Sequence, residues 1–320
     1  MSAGGGTRAI IAAFSANIGI AITKLIAALI SNSASMLAES VHSFADSGNQ
    51  LLLLLGGRKS RTAADDKHPF GYGRERYVYA FVVSIILFSV GGVFSLYEGI
   101  TKLTEPHELE NIWIPLIVLV IAIGLESFSL RTAVKESNHI RGTQSWIQFI
   151  RHAKQPELPV VLLEDVAALT GLVFALAGVG LTGLTHDPLW DAIGTIAIGA
   201  LLVVVAIVLG IETKSLLVGE GATRADVERI RDAFNNSKRV EALIHMKTLY
   251  LGPEELMVAA KVAFPKTTKV ADVARAINEV EAEIRTAVPI ARVIYIEPDI
   301  YQPSSAAAPS TDAIVIKGAD

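Results

Sequence analysis

His42 and Asp46 stand four residues apart in the run Met36-Leu-Ala-Glu-Ser-Val-His-Ser-Phe-Ala-Asp46. On a helix, that spacing puts an imidazole and a carboxylate on one face, one turn apart. Glu39, three residues before His42, falls on the same stripe. A second pair of acids, Glu164 and Asp165, lies near the start of an otherwise apolar run, Leu158-Pro-Val-Val-Leu-Leu-Glu-Asp-Val-Ala-Ala168. Imidazole nitrogen with carboxylate oxygens is a donor set for a divalent cation. It suits the tetrahedral preference of zinc and also tolerates manganese, iron or cobalt. The chain has no cysteine, which excludes thiolate ligands and disulfides. Adjacent residues on a helix point about 100° apart, so Glu164 and Asp165 cannot face one ion equally. One is expected as a direct ligand, the other as an outer or proton-handling group.

The surroundings give these residues their meaning. Of 320 residues 51% are hydrophobic and 19% charged, against roughly 25% charged in an average soluble domain. Mean hydropathy is +0.46. The apolar residues concentrate in six runs near 9–31, 35–56, 77–101, 111–133, 158–183 and 188–212, each about the 20 residues a bilayer-spanning helix needs. A charge at bilayer depth costs at least ~2.5 kcal/mol. His42 and Asp46 in the second run and Glu164 and Asp165 in the fifth therefore need compensation, and a cation held between the two helices would supply it. Interhelical hydrogen bonding alone is the competing account. It suffices for one such residue more easily than for four.

The linkers carry an orientation signal. Arg58, Lys59, Arg61, Lys67, Arg74 and Arg76 lie between the second and third runs, and Arg131, Lys135, Arg141, Arg151 and Lys154 between the fourth and fifth. The opposite loops hold one lysine and no arginine. The positive-inside rule then places both termini in the cytoplasm. No small-residue cleavage site follows the first run, so it is expected to be a retained span in a cell membrane. A net charge of −4 gives no reason to expect nucleic acid.

Beyond Gly210 the pattern changes to that of a small α+β module in the order α-β-β-α-β. Helices are expected at 223–235 and 268–286, and strands at 242–251, 255–264 and 292–297. The expected domains are thus a six-helix all-α transmembrane bundle, 1–212, a cytoplasmic domain, 213–301, and a disordered Pro-, Ser- and Ala-rich tail, 302–320.

With these residues in view, the chain resembles the cation diffusion facilitator family of metal transporters. Ser31-Asn-Ser-Ala-Ser-Met-Leu-Ala-Glu-Ser-Val-His-Ser-Phe-Ala-Asp46 is similar to that family's second-span block, and His68-Pro-Phe-Gly-Tyr-Gly-Arg-Glu-Arg-Tyr77 to its third-span entrance. Leu163-Glu-Asp-Val-Ala-Ala168 and the long 137–159 linker resemble the subgroup that includes the ninth human zinc transporter. The resemblance implies a homodimer with a ferredoxin-like αββαβ cytoplasmic domain, exporting a divalent metal, zinc first, by proton antiport. The metal is cargo, and no resident cofactor or enzymatic activity is implied. The family's fifth-span pattern starts with His or Asp four residues before the second Asp. Aligned on Asp165 that position is Val161, which leaves Glu164 as the substitute. A second family site, in the loop after the second span, matches at Asp65 and His68 but has Tyr72 where a third ligand is usual. In the cytoplasmic domain His245 and Glu297 match ligand positions, while Lys261 and Tyr295 stand where ligands would be needed, so no binuclear site is expected there.

Other polar residues in the spans have two readings each. Asn17 and Asn49 line a cavity or pair helices; Glu126 faces the cavity or packs between helices; Lys24 reaches for the interface or pairs with an acid. Asp191, at the start of the sixth run, is expected to cap that helix. The competing functions are a membrane metalloenzyme, for which no His-Glu-x-x-His motif is present, a metal sensor, a carrier for manganese, iron or cobalt, and a structural scaffold.

Overall fold

Backbone amides cannot stay unpaired among lipid chains, so apolar runs of this length are stable there as helices. The computed structural model describes residues 3–300 apart from 107, 108 and 110, with side chains described outside 3–16, 139 and 140. The expected tail, 302–320, lies outside the described residues. The chain is mostly helical. In order the helices are α1 (Ala3–Ser31), α2 (Ala34–Lys59), α3 (Glu75–Ile86), α4 (Phe94–Thr104), α5 (Trp113–Arg141), α6 (Trp146–His152), α7 (Glu157–Thr185) and α8 (Leu189–Val218). Then come α9 (Arg224–Asn236), β1 (Ala242–Gly252), β2 (Glu255–Ala263), α10 (Val270–Ala287) and β3 (Ala291–Asp299).

Among the described residues four helical stretches are long and apolar enough to cross a membrane: Glu75–Thr104, Trp113–Asn138, Glu157–Thr185 and Leu189–Val218. Of α1, only the 17–31 segment enters that comparison, as a shorter apolar helix. The 26-residue α2 has the length, but Glu39, His42, Asp46, Arg58 and Lys59 interrupt its apolarity. Large apolar side chains such as Ile117, Phe128, Val204 and Ile211 stay exposed around the helices, as a lipid-facing surface requires.

Three features were not expected. The Glu75–Thr104 helix widens into a π segment, Leu87–Val93, between α3 and α4; such bulges gather at functional sites. The 137–159 linker contains α6, started by a capping box in which Ser145 and Gln148 satisfy each other's backbone N–H. Finally, α8 runs to Val218, six residues past the expected end, and stops at Gly219, whose φ of 117° suits glycine.

The chain divides into two compact units, one running to Gly219 and the other beginning at Glu220. In the second, the sheet order is β1-β2-β3. The two-residue connection between β1 and β2 permits only an antiparallel pair. β2 and β3 pair in parallel, with α10 as the crossover that a parallel pair needs. Ile230 and Phe234 of α9, Val258 and Val262 of β2, and Val280 and Ile284 of α10 form the core of this unit.

In the first unit α7 and α8 approach through glycine. A Cβ on Gly178 would sit 2.9 Å from the Trp190 carbonyl oxygen, and one on Gly194 3.0 Å from that of Phe174. Both neighbours are backbone and cannot swing aside. Replacing Gly178 with Val should therefore force the helices apart and cost about 1–3 kcal/mol. Thermal unfolding of the detergent-purified variant would report it, and an unchanged midpoint would mean that the helices do not cross this closely.

Candidate metal centre

The site depends on how α2 is anchored. Asn32, at φ 54°, ends α1 and turns the chain. Ser33 caps α2 by accepting from the Met36 N–H. The Asp191 carboxylate accepts from Ser33 Oγ (2.9 Å), Ala34 N–H (2.8 Å) and Ser35 N–H (3.3 Å). Asp191 sits in the first turn of α8 yet caps α2, which corrects the expectation that it caps its own helix. The amide end of α2 is buried and partly positive, and it attracts the nearest carboxylate. This cap fixes the rotation of α2, and with it the direction of Glu39, His42 and Asp46.

The three stripe residues meet different fates. The buried Lys24 of α1 donates to Glu39 Oε2 (3.1 Å) and to Ser43 Oγ (2.8 Å). Glu39 is thereby neutralised inside the protein. One turn on, His42 Nε2 lies 3.4 Å from Asp46 Oδ2, too long for a strong hydrogen bond. His42 is 1% exposed. Both its ring nitrogens, and Asp46 Oδ1, are buried with no hydrogen-bond partner among the described residues.

Asp46 opens onto a cavity of about 20 Å³ that it shares with Glu126, Glu164 and Asp165, room for about one water-sized occupant. The cavity lies where α1, α2, α5 and α7 meet, and Val161 and Asn17 also line it. Glu164 and Asp165 both reach it but are steered from different sides. Asn49 Nδ2 of α2 donates to Glu164 Oε1 (2.7 Å), and Ser129 Oγ of α5 donates to Asp165 Oδ2 (3.1 Å). His42 touches the cavity only through Asp46. Among the described residues, no three His, Asp or Glu side chains are already gathered at coordinating range of one point.

Residues 10–218 match the family described as the cation efflux transmembrane domain. The chain belongs to the cation efflux family, also called the cation diffusion facilitators. Relatives include the proton-coupled zinc antiporter SLC30A9 of Xenopus laevis, 33% identical over 75% of this chain and 44% of its own length. Metal tolerance protein C4 of Arabidopsis thaliana is 30% identical over 73% of this chain and 52% of its own. Magnetosome protein MamB of a Magnetospira strain is 25% identical over 85% and 89%. The chain thus spans about half the length of the first two. Cation efflux proteins are multi-pass membrane transporters, not enzymes.

Within this cation efflux chain the loop pair, Asp65 and His68, is adjacent but already bonded. Asp65 Oδ1 accepts from the backbone N–H of Lys67 and His68, and Oδ2 from the Tyr72 hydroxyl (2.8 Å). His68 Nδ1 lies 3.5 Å from Asp65 Oδ1, and its ring packs on Tyr72. Tyr72, the departure from the family pattern, supplies a donor where a ligand is usual. In the second unit Lys261 likewise engages Glu297 (3.1 Å) and Asp299 (2.9 Å) across the β2–β3 register.

Sequence reasoning left Asn49, Glu126 and Asn17 open and did not single out Ser129. The signal for Ser129 was its place one turn after Glu126, on the same face of α5.

Two outcomes follow from these pairings. Breaking the Lys24–Glu39 pair from one side, by Lys24→Met or Glu39→Gln, should cost about 3–5 kcal/mol, and the double substitution should recover much of it. Denaturant unfolding in mixed micelles would show this, and additive losses would mean that the pair is not coupled. For the loop, the Tyr72 hydroxyl, with help from the His68 amide, holds the Asp65 carboxyl below its usual value, and Asp65 raises Tyr72. A depressed carboxyl favours the ordered loop above the unfolded pKa of about 3.9, and that support fades as pH falls through the folded value. Tyr72→Phe should move the Asp65 pKa up in an NMR carboxyl titration; no movement would show that the hydroxyl is not the cause.

Proposed function

We propose that this chain carries a divalent metal cation, zinc first, across a membrane in exchange for protons. The observation that carries the reading is the meeting of Asp46 with Glu164 and Asp165 at one buried cavity between α2 and α7, in a member of the cation efflux family. His42, Asp46, Glu164 and Asp165 would hold the ion. The name of the Xenopus laevis relative, a proton-coupled zinc antiporter, agrees with this choice of cargo and counter-ion.

Coupling follows from the donors. Carboxylates and imidazole bind metal only when deprotonated, so protons and metal compete for the same atoms. With the cavity open inward, the metal enters and protons leave. With it open outward, protons displace the metal. One ring nitrogen of His42 and the free Oδ1 of Asp46 are atoms such a cation would satisfy, at a depth where an unsatisfied polar group is expensive.

The full reading has α1 and α2 join the four apolar stretches as six spans, 1–212, with both termini cytoplasmic in a cell membrane. The 213–301 unit is a ferredoxin-like cytoplasmic domain that joins two copies into a homodimer. Asp65 and His68 form a secondary metal site at the loop only if metal displaces the Tyr72 hydroxyl.

The purified chain in proteoliposomes should move zinc faster with an opposing pH gradient than without it. Asp46→Ala should cut zinc flux at least ~10-fold while expression and oligomeric state stay intact. Undiminished flux in that variant overturns the reading of the site.

A further inference from the structure

Between the apolar stretches Trp113–Asn138 and Glu157–Thr185 the chain carries a short helix, α6, that the metal centre does not use. Its inner side is well held. Phe149 is 4% exposed and packs with Ala133 of α5 and Leu162 of α7, and Trp146 and Ile150 lean on the same cluster. The Arg141 guanidinium stacks over the Trp146 ring, 4.3 Å from its centre. These contacts decide which side of α6 faces outward.

That outward side is both apolar and positive. Ile147 is 70% exposed. One turn on, the Arg151 side chain is 69% exposed, and its Nε lies 3.7 Å from Glu212 Oε1, too far for a good hydrogen bond. Arg131 and Lys135 are exposed on the end of α5, beside the Ala133 and Val134 that pack under α6. From Arg131 to Lys154 there are five basic residues against one acid, Glu136. An exposed isoleucine in a basic surround matches a headgroup layer, which is apolar beneath and negative above. The two flanking spans deliver α6 to that layer, because it joins their ends. A second copy on the same face would set positive charge against positive charge.

We propose that α6 and the basic residues around it form a docking surface for anionic lipid headgroups. Ile147 enters the boundary between headgroups and acyl chains, and Arg131, Lys135 and Arg151 meet the phosphates. Val161 of α7, which lines the cavity, packs on the cluster under α6. The docked helix therefore joins one wall of the cavity to the lipid surface.

The chain has no cysteine, so Ile147→Cys carries a single spin label in the full protein. Its depth is read from collisions with oxygen and with a neutral nickel chelate, in vesicles of phosphatidylcholine with and without phosphatidylglycerol. With phosphatidylglycerol at low salt the label should lie about 5–10 Å into the headgroup–acyl boundary. It should move toward water in phosphatidylcholine alone, and in about 1 M salt, where screening acts within ~3 Å. Adding Lys135→Gln and Arg151→Gln should move it the same way. One depth in both lipids, or a label unmoved by the two substitutions, overturns the proposal. So does protection that grows with the protein-to-lipid ratio, which would put a second copy on α6. The depth is read without any cargo, so a negative result here leaves the transport reading standing, and a chain that moves no metal still reports its docking.

Discussion

A carboxylate among lipid chains must be neutralised, hydrogen-bonded or given a cation. This chain places Glu39, Asp46, Glu126, Glu164 and Asp165 on helices that otherwise read as apolar. It resolves the conflict in two ways. Glu39 receives an internal cation, Lys24, at Oε2, while its Oε1 stays buried without a partner among the described residues. The other four border one small cavity and receive only a few hydrogen bonds, from Asn49 and Ser129. The difference separates an acid paired with an internal cation from acids that face a cavity.

The rest of the helical unit serves to hold that cavity in shape. Asp191 caps α2 from α8, so the helix is fixed in rotation from a point about two turns before His42 and three before Asp46. Gly178 and Gly194 bring α7 and α8 together, which places Glu164 and Asp165 at a defined height. Gly171 gives α7 room beside α2, where any Cβ would meet Glu39 Oε1 at 2.6 Å. The π segment leaves Gly91 facing His42, where a Cβ would lie 4.0 Å from Nδ1. Arg76 of α3 pairs with Glu157 of α7 near the loop side.

Much of the centre was legible in the sequence because helical spacing is local. The four-residue gap between His42 and Asp46 specifies a shared face without knowledge of any neighbour, and the acids at 164 and 165 stand out against apolar flanks. What was not legible is long-range. Glu39 lies on the same stripe as His42, and only Lys24, on another helix, removes it from the cavity. Asp191 looks like a cap for its own helix until the fold presents it with the bare amides of α2. Glu126 is a single acid in an apolar run, and its spacing to anything else is uninformative. The small module past Gly219 was readable from its alternation, whereas α6 was missed because its seven residues are too few for a period to declare itself.

The polar ties of α2 to α1 and to α7 beside the cavity are unequal. Moving α2 against α1 near the site would separate Lys24 from Glu39 and strand two charges, a loss of about 3–5 kcal/mol. Parting α2 from α7 at the cavity would break the hydrogen bond from Asn49 to Glu164, worth about 0.5–1.5 kcal/mol. A cation between Asp46 and the acids of α7 would act across that weaker seam, the one place where its charge can decide how closely the helices stand. The stronger tie keeps α1 and α2 in register whether or not the cavity is occupied. Among the described residues the Lys24–Glu39 pair thus braces the contact between α1 and α2, while the contact between α2 and α7 at the cavity rests on the hydrogen bond from Asn49.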